Sequence, residues 1–165
     1  MPRKNKKLPR HLLVIRTSAM GDVAMLPHAL RALKEAYPEV KVTVATKSLF
    51  HPFFEGLDVG FLDIETRRTH RGIRGAIRFA REAAELKIDA VADMHNVLRS
   101  KMVRAALHLR GIPVSVIHKG RIEKYMRLGR GSEGVKPLKH TVIRYCDVFR
   151  RLGFDFPDPR PAEKR

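Results

Sequence analysis

The segment Arg16-Thr17-Ser18-Ala19-Met20-Gly21-Asp22 brings together the residue types that a small-molecule site needs. It follows the apolar run Leu12-Leu13-Val14-Ile15. It precedes Leu26, Leu30, Leu33 and Tyr37, which recur at helical spacing. Ser18, Ala19 and Gly21 are small enough for a ligand to approach the backbone closely. A helix start beyond them adds N–H donors and the positive end of a dipole. Two roles are open to Asp22. It is a good N-cap, with Pro27 near the first turn of the same helix. It is equally placed to take a proton as a general base.

A second constellation runs from Ala92 to Lys101, again from a strand end into a helix. Asp93, His95, Asn96, Arg99 and Lys101 suit a polar, anionic substrate. The alternative is that Asp93 or Asn96 caps the helix while Arg99 and Lys101 lie in water. A third feature is the basic set Arg67, Arg68, Arg71, Arg74, Arg78 and Arg81. Spacing permits i,i+4 pairs of Arg78 with Glu82 and Arg81 with Glu85, hence a solvated, salt-bridged face. Arg67, Arg68 and Arg71 precede those pairs and are freer to bind phosphate. The segment from Lys119 to Lys139 is also basic and carries Gly129, Gly131 and Gly134. It reads equally as an anion-binding flap or a surface loop.

Other chemistries leave no trace. The sequence has no G-x-G-x-x-G, no P-loop and no G-x-S-x-G elbow. The eight His are scattered and Cys146 is the one cysteine, so no metal site and no internal disulfide are expected.

These residues need elements to hold them. Strands are expected at Leu12–Ile15, Val40–Thr46, Val59–Ile64, Ile88–Asp93 and Pro113–Ile117. Helices are expected from Asp22 to Tyr37, over Ile73–Lys87, Val97–Leu109 and His140–Leu152, with a short one over Leu49–Glu55. In the Ile73–Lys87 helix, Ile73, Ile77, Ala80 and Ala84 share one face. Alternation of strand and helix predicts an α/β fold, Rossmann-like, with a mostly parallel sheet and flanking helices. Ligands of such sheets bind beyond the C-terminal strand ends, where both constellations fall. Residues 1–10 read as a basic flexible tail, 11–154 as one domain, and 155–165 as a Pro-rich, linker-like tail.

Composition bounds the function. The 165 residues suit one domain, and a 44% apolar share argues against global disorder. Lys and Arg number 34 against 17 Asp and Glu, a formal charge of +17. That charge calls for a polyanionic partner, whether nucleic acid, anionic membrane or phosphorylated ligand, or for an acidic protein partner. Aromatic content of 7% and the absence of a recognisable nucleic-acid motif weigh against the first. No apolar run reaches the roughly 18–20 residues of a membrane span, or the roughly 7–15 of a signal peptide core. A cytoplasmic location, with contact at the inner face of the cytoplasmic membrane, is expected.

Three stretches resemble glycosyltransferase family 9, the lipopolysaccharide heptosyltransferases, over about His11 to Phe154. HLLVIRTSAMGDVAMLPHALRALKEAYPEVKVTVAT is similar to the family's opening strand, S-x-x-G-D loop and following helix and strand. DAVADMHNVLRSK resembles its strand ending in Asp and the R-S helix. HTVIRYCDVFRRLGF resembles the helix that closes its N-terminal domain. His95-Asn96 stands where many members carry a Gln-Gly-like pair. The resemblance implies the acceptor-binding half of an inverting, metal-independent GT-B enzyme, with Asp22 as general base. Ser18, Ala19, Met20, Gly21, His95, Asn96, Arg99 and Lys101 would contact substrate, as would Arg67, Arg68 and Arg71. The implied acceptor is an anionic glycolipid of the lipopolysaccharide inner core. The implied donor is a nucleotide sugar, ADP-heptose, held by a C-terminal domain beyond this chain; no other cofactor is expected. The isolated half would be inactive. A basic nucleic-acid-binding module and a non-catalytic remnant of the fold are the alternatives.

Overall fold

Leu12, Leu13 and Val14 are fully buried, as a continuous apolar run between two helix layers must be. They lie in β1 (His11–Ile15), the central strand of the computed structural model, which describes residues 7–65, 69–118 and 140–159. The other strands are β2 (Lys41–Thr46), β3 (Gly60–Asp63), β4 (Ala90–Asp93) and β5 (Val114–Val116). Every pairing is parallel, in the order β3-β2-β1-β4-β5. The described helices are α1 (Met20–Ala36), α2 (Gly72–Glu85), α3 (Leu98–His108) and α4 (Thr141–Arg151). A 3-10 segment, Ser48–Phe54, follows β2.

Strand period two divides the core. Leu12, Val14, Val42, Val44, Ala90 and Ala92 meet α1 and α4 through Leu26, Leu30, Tyr145 and Phe149. Leu13, Ile15, Ala45 and Val91 point the other way, onto Ala76, Phe79 and Ala83 of α2 and Val103 and Leu107 of α3. The result is the expected α/β sheet with helices on both faces. After α4 the chain stays on the domain: Phe154 and Phe156 are buried in the first core, and Tyr37 Oη donates to the Asp155 carbonyl at 3.0 Å. Among the described residues no helix is long and apolar enough to cross a membrane.

The chain runs from β1 outward to β3, then returns to place β4 on the other side of β1. Ile15 pairs with both Ala45 and Asp93, so the strand ends are level. The reversal opens a crevice above the C-terminal ends of β1 and β4.

Two local expectations are corrected, and the buried side of α2 is fixed. Asp22 is not the N-cap of α1; Ala19 is, and Asp22 lies in the first turn with its side chain turned to Arg16. Pro27 therefore falls inside the helix, where it lacks the N–H that would bond the carbonyl of Val23. In α2 the buried face is Gly75, Ala76, Phe79, Ala80 and Ala83, while Ile73 and Ile77 are 69% and 53% exposed. The cause is close approach: a Cβ on Gly75 would lie 2.1 Å from the carbonyl carbon of His70, so only glycine fits and α2 is rotated onto that contact.

Candidate functional site

The site grows from Arg16, the residue after β1. Its backbone N–H extends the ladder to the Ala45 carbonyl, so its side chain starts inside the fold. The side chain is 7% exposed. Its guanidinium donates to the Met94 carbonyl, at the end of β4, and to the Asp22 carboxylate, at the start of α1. Nε stays buried with no hydrogen-bond partner. A buried Arg demands such acceptors, because an unpaired charge in the core costs far more than the pair. One cation thus ties two strand ends and one helix start together.

Asp22 is the half-exposed member, its side chain 44% accessible. Oδ2 meets Arg16; Oδ1 accepts no hydrogen bond from the described residues. The Asp22 carbonyl accepts from Tyr145 Oη of α4 at 3.0 Å. Burial pushes the Tyr145 phenol up to about 12, so it remains an O–H donor. The carboxylate is therefore positioned from the side-chain end by β1 and from the backbone end by α4.

His95 closes the other wall. Its Nδ1 lies 2.9 Å from Thr17 Oγ1 and its Nε2 lies 3.1 Å from Ser18 Oγ. A neutral imidazole donates from one nitrogen and accepts at the other, so one hydroxyl must donate and the other accept. The loops after β1 and β4 are joined through this ring. Ala19, Met20 and Gly21 lie exposed beside it.

Asp93 has a different job. It is fully buried; Oδ1 accepts the backbone N–H groups of His95 and Asn96 at 2.9 and 2.8 Å. Oδ2 accepts from Arg104 at 3.2 Å. Asn96 takes the left-handed turn at φ 48° and donates from Nδ2 to the Ile117 carbonyl at 3.3 Å. Both residues build the turn and neither caps α3; the cap is Val97, with Ser100 Oγ 3.0 Å from its N–H. Arg99 is half-buried and Lys101 is exposed in the first turn of α3. Arg71 is the exposed N-cap of α2. Arg67, Arg68 and the basic segment from Lys119 to Lys139 lie outside the described residues.

A cavity of about 20 Å³ lies beneath the rim, lined by Thr17, His70, Phe79, His95 and Arg99 among others. It has room for about one water. His70 forms its far wall. Nδ1 accepts from the Glu65 N–H at 3.1 Å and Nε2 donates to Glu82 at 2.9 Å. Burial opposes the charge on Glu82, but the bonds from Arg78 and His70 outweigh it and hold the carboxyl below its usual value.

Arg16 opens the segment singled out from the sequence but has no role assigned there, and Arg104 and Tyr145 are not among the sequence candidates. The available signal for Arg16 was a cation directly after four apolar residues. For the other two there was none, since their partners lie on distant elements. Among the described residues no group of three or more His, Cys, Asp or Glu is placed to hold a metal ion.

No family model matches this sequence, and no curated protein matches it. Solved structures do match its fold. The glycosyl transferase family 9 protein from Veillonella parvula aligns with a TM-score of 0.67 at 16% identity, over 93% of this chain and 44% of that one. E. coli heptosyltransferase WaaC with ADP-2-deoxy-2-fluoro heptose gives 0.62 at 23%, over 91% and 50%. E. coli ADP-heptose lps heptosyltransferase II gives 0.57 at 21%, over 93% and 43%. At these identities the likeness is one of fold: a Rossmann-like unit of the kind that makes up one half of a GT-B glycosyltransferase. The chain spans about half the length of the structures it matches.

Proposed function

We propose that this chain is the acceptor-binding half of an inverting glycosyltransferase, one that transfers heptose from ADP-heptose to the anionic inner core of a lipopolysaccharide. The observation that carries the reading is Asp22, a half-exposed carboxylate at the sheet's crevice, held by a buried arginine rather than spent on a helix cap. Its support is that the fold matches heptosyltransferases, one of them solved with an ADP-heptose analogue.

In this reading the acceptor lies over Ala19 and Gly21, with Ser18, His95, Arg99 and Lys101 as polar contacts and Arg71 at the edge. Asp22 Oδ1 takes the proton of the acceptor hydroxyl while Arg16 holds Oδ2 in place. The oxygen attacks the anomeric carbon from the face opposite the diphosphate. The bond to the diphosphate breaks, its electron pair leaves with the nucleotide, and configuration inverts. The base is a carboxylate, so the step as proposed calls for no metal. The donor is assigned to a second domain.

Paired with a donor-binding half from a heptosyltransferase, the chain is expected to support transfer from ADP-heptose. Asp22→Asn should then lower turnover by roughly 10²–10⁴-fold, the usual worth of a general base, while calorimetric affinity for the acceptor survives. Full turnover in Asp22→Asn would remove the base assignment.

A further inference from the structure

We propose that the outer face of α2 docks this protein on an anionic lipid surface. The inference stands on α2 and its neighbour α3 alone, not on the glycosyl-transfer reading. Spacing places Ile73 and Ile77 on one face of the helix, and the structure leaves both in water. Gly75, Ala76, Phe79, Ala80 and Ala83 satisfy the sheet without them. Single exposed aliphatics are ordinary on a surface. These two lie one helical turn apart, so they form a ridge.

The surroundings of the ridge are more basic than acidic, with Glu82 and Glu85 on the same side of α2 as Arg74, Ile77, Arg78 and Arg81. Arg71, Arg74, Arg78 and Arg81 are exposed around it. Only Arg78 is paired, to Glu82 at 3.0 Å; the expected Arg81–Glu85 pair does not form, and Arg71, Arg74 and Arg81 have no ion pair among the described residues. α3 packs beside α2 and adds exposed Leu98 and Lys101, with Leu109 and Arg110 directly after it. Aliphatic residues set among unpaired cations are the pattern of an interfacial helix: the cations meet lipid phosphates and the aliphatic tips enter the headgroup boundary. A nucleic acid would match the charge but leave the Ile ridge in water. It would also lack a stacking platform, since Phe79, the one Phe, Tyr or Trp of the two helices, is buried. Arg71 caps α2 next to the site, so docking brings the crevice close to the lipid surface.

Flotation of the full chain with phosphatidylcholine vesicles, with and without phosphatidylglycerol, tests this. Binding is expected with phosphatidylglycerol and not without it. Arg74→Gln with Arg81→Gln should weaken it on the order of 20-fold at low salt, about fivefold for each cation. Ile73→Ser with Ile77→Ser should weaken it roughly tenfold, at positions too exposed to disturb the fold, as a thermal melt will check. Arg31→Gln with Lys41→Gln removes the same charge from α1 and the start of β2 and should change little. The proposal is overturned if that control loses as much as the α2 pair, or if the Ile pair loses nothing. It is also overturned if a single-stranded oligonucleotide binds through Arg74 and Arg81 while vesicles do not.

Discussion

Two aspartates end up within one hydrogen-bonded rim and have opposite fates. Asp93 is fully enclosed and spends both oxygens on its own turn and on Arg104. Asp22 keeps one oxygen available because Arg16 reaches it from inside the fold. Sequence types alone cannot rank the two; access to solvent does. Another titratable group reports on the fold itself. Burial, reinforced by Lys41, holds the His11 imidazole below its ordinary 6.5, and its Nε2 lies 2.8 Å from Thr43 Oγ1. As pH falls through 6.5 the unfolded chain takes up a proton that the folded chain does not, so stability falls with it. Urea unfolding of the parent between neutrality and about pH 5 should show that slope, and His11→Gln should flatten it.

Elements act here as levers on one another. β1 and β4 end level, α1 begins one short loop later, and α4 reaches back through Tyr145 to the Asp22 carbonyl. Four elements therefore fix one carboxylate, while its immediate loop stays small and open. α2 is held by Ala76, Phe79, Ala80 and Ala83 in the second core and by the close approach of Gly75 to the His70 backbone. Gly75→Ala should force the two apart and cost about 1–3 kcal/mol, the usual range for overpacking, read as a lowered urea midpoint. Together these contacts decide which side of α2 faces water, and so create the Ile73–Ile77 ridge. An unchanged midpoint would mean that the approach of Gly75 to His70 does not hold α2.

At the scale of the molecule, two cores lie on either side of one sheet. Cys146 is a probe of one of them. The thiol is fully buried in the α1–α4 core, and burial pushes it up to about 11. It should resist an aromatic disulfide reagent at mildly alkaline pH and react at once in denaturant. Rapid reaction of the native protein would show that this core opens locally. Among the described residues, Arg71, Arg74, Arg78, Arg81, Lys101 and Arg110 are exposed along α2 and α3 or next to them. The residues alone gave the succession of strands and helices and the burial of β1 on both faces, because four consecutive apolar residues are buried only between two layers; the central place of β1 came with the fold. The sequence also marked the loop after β1 as the place for chemistry. It could not choose between the two apolar stripes of α2, which have the same helical spacing, nor say whether Asp22 caps α1. Those choices were made by His70 against Gly75, by Met94 acting on Arg16 from 78 residues away, and by Tyr145 on Asp22 from 123 residues away. Such contacts carry no local periodicity, so only the tertiary structure decides them.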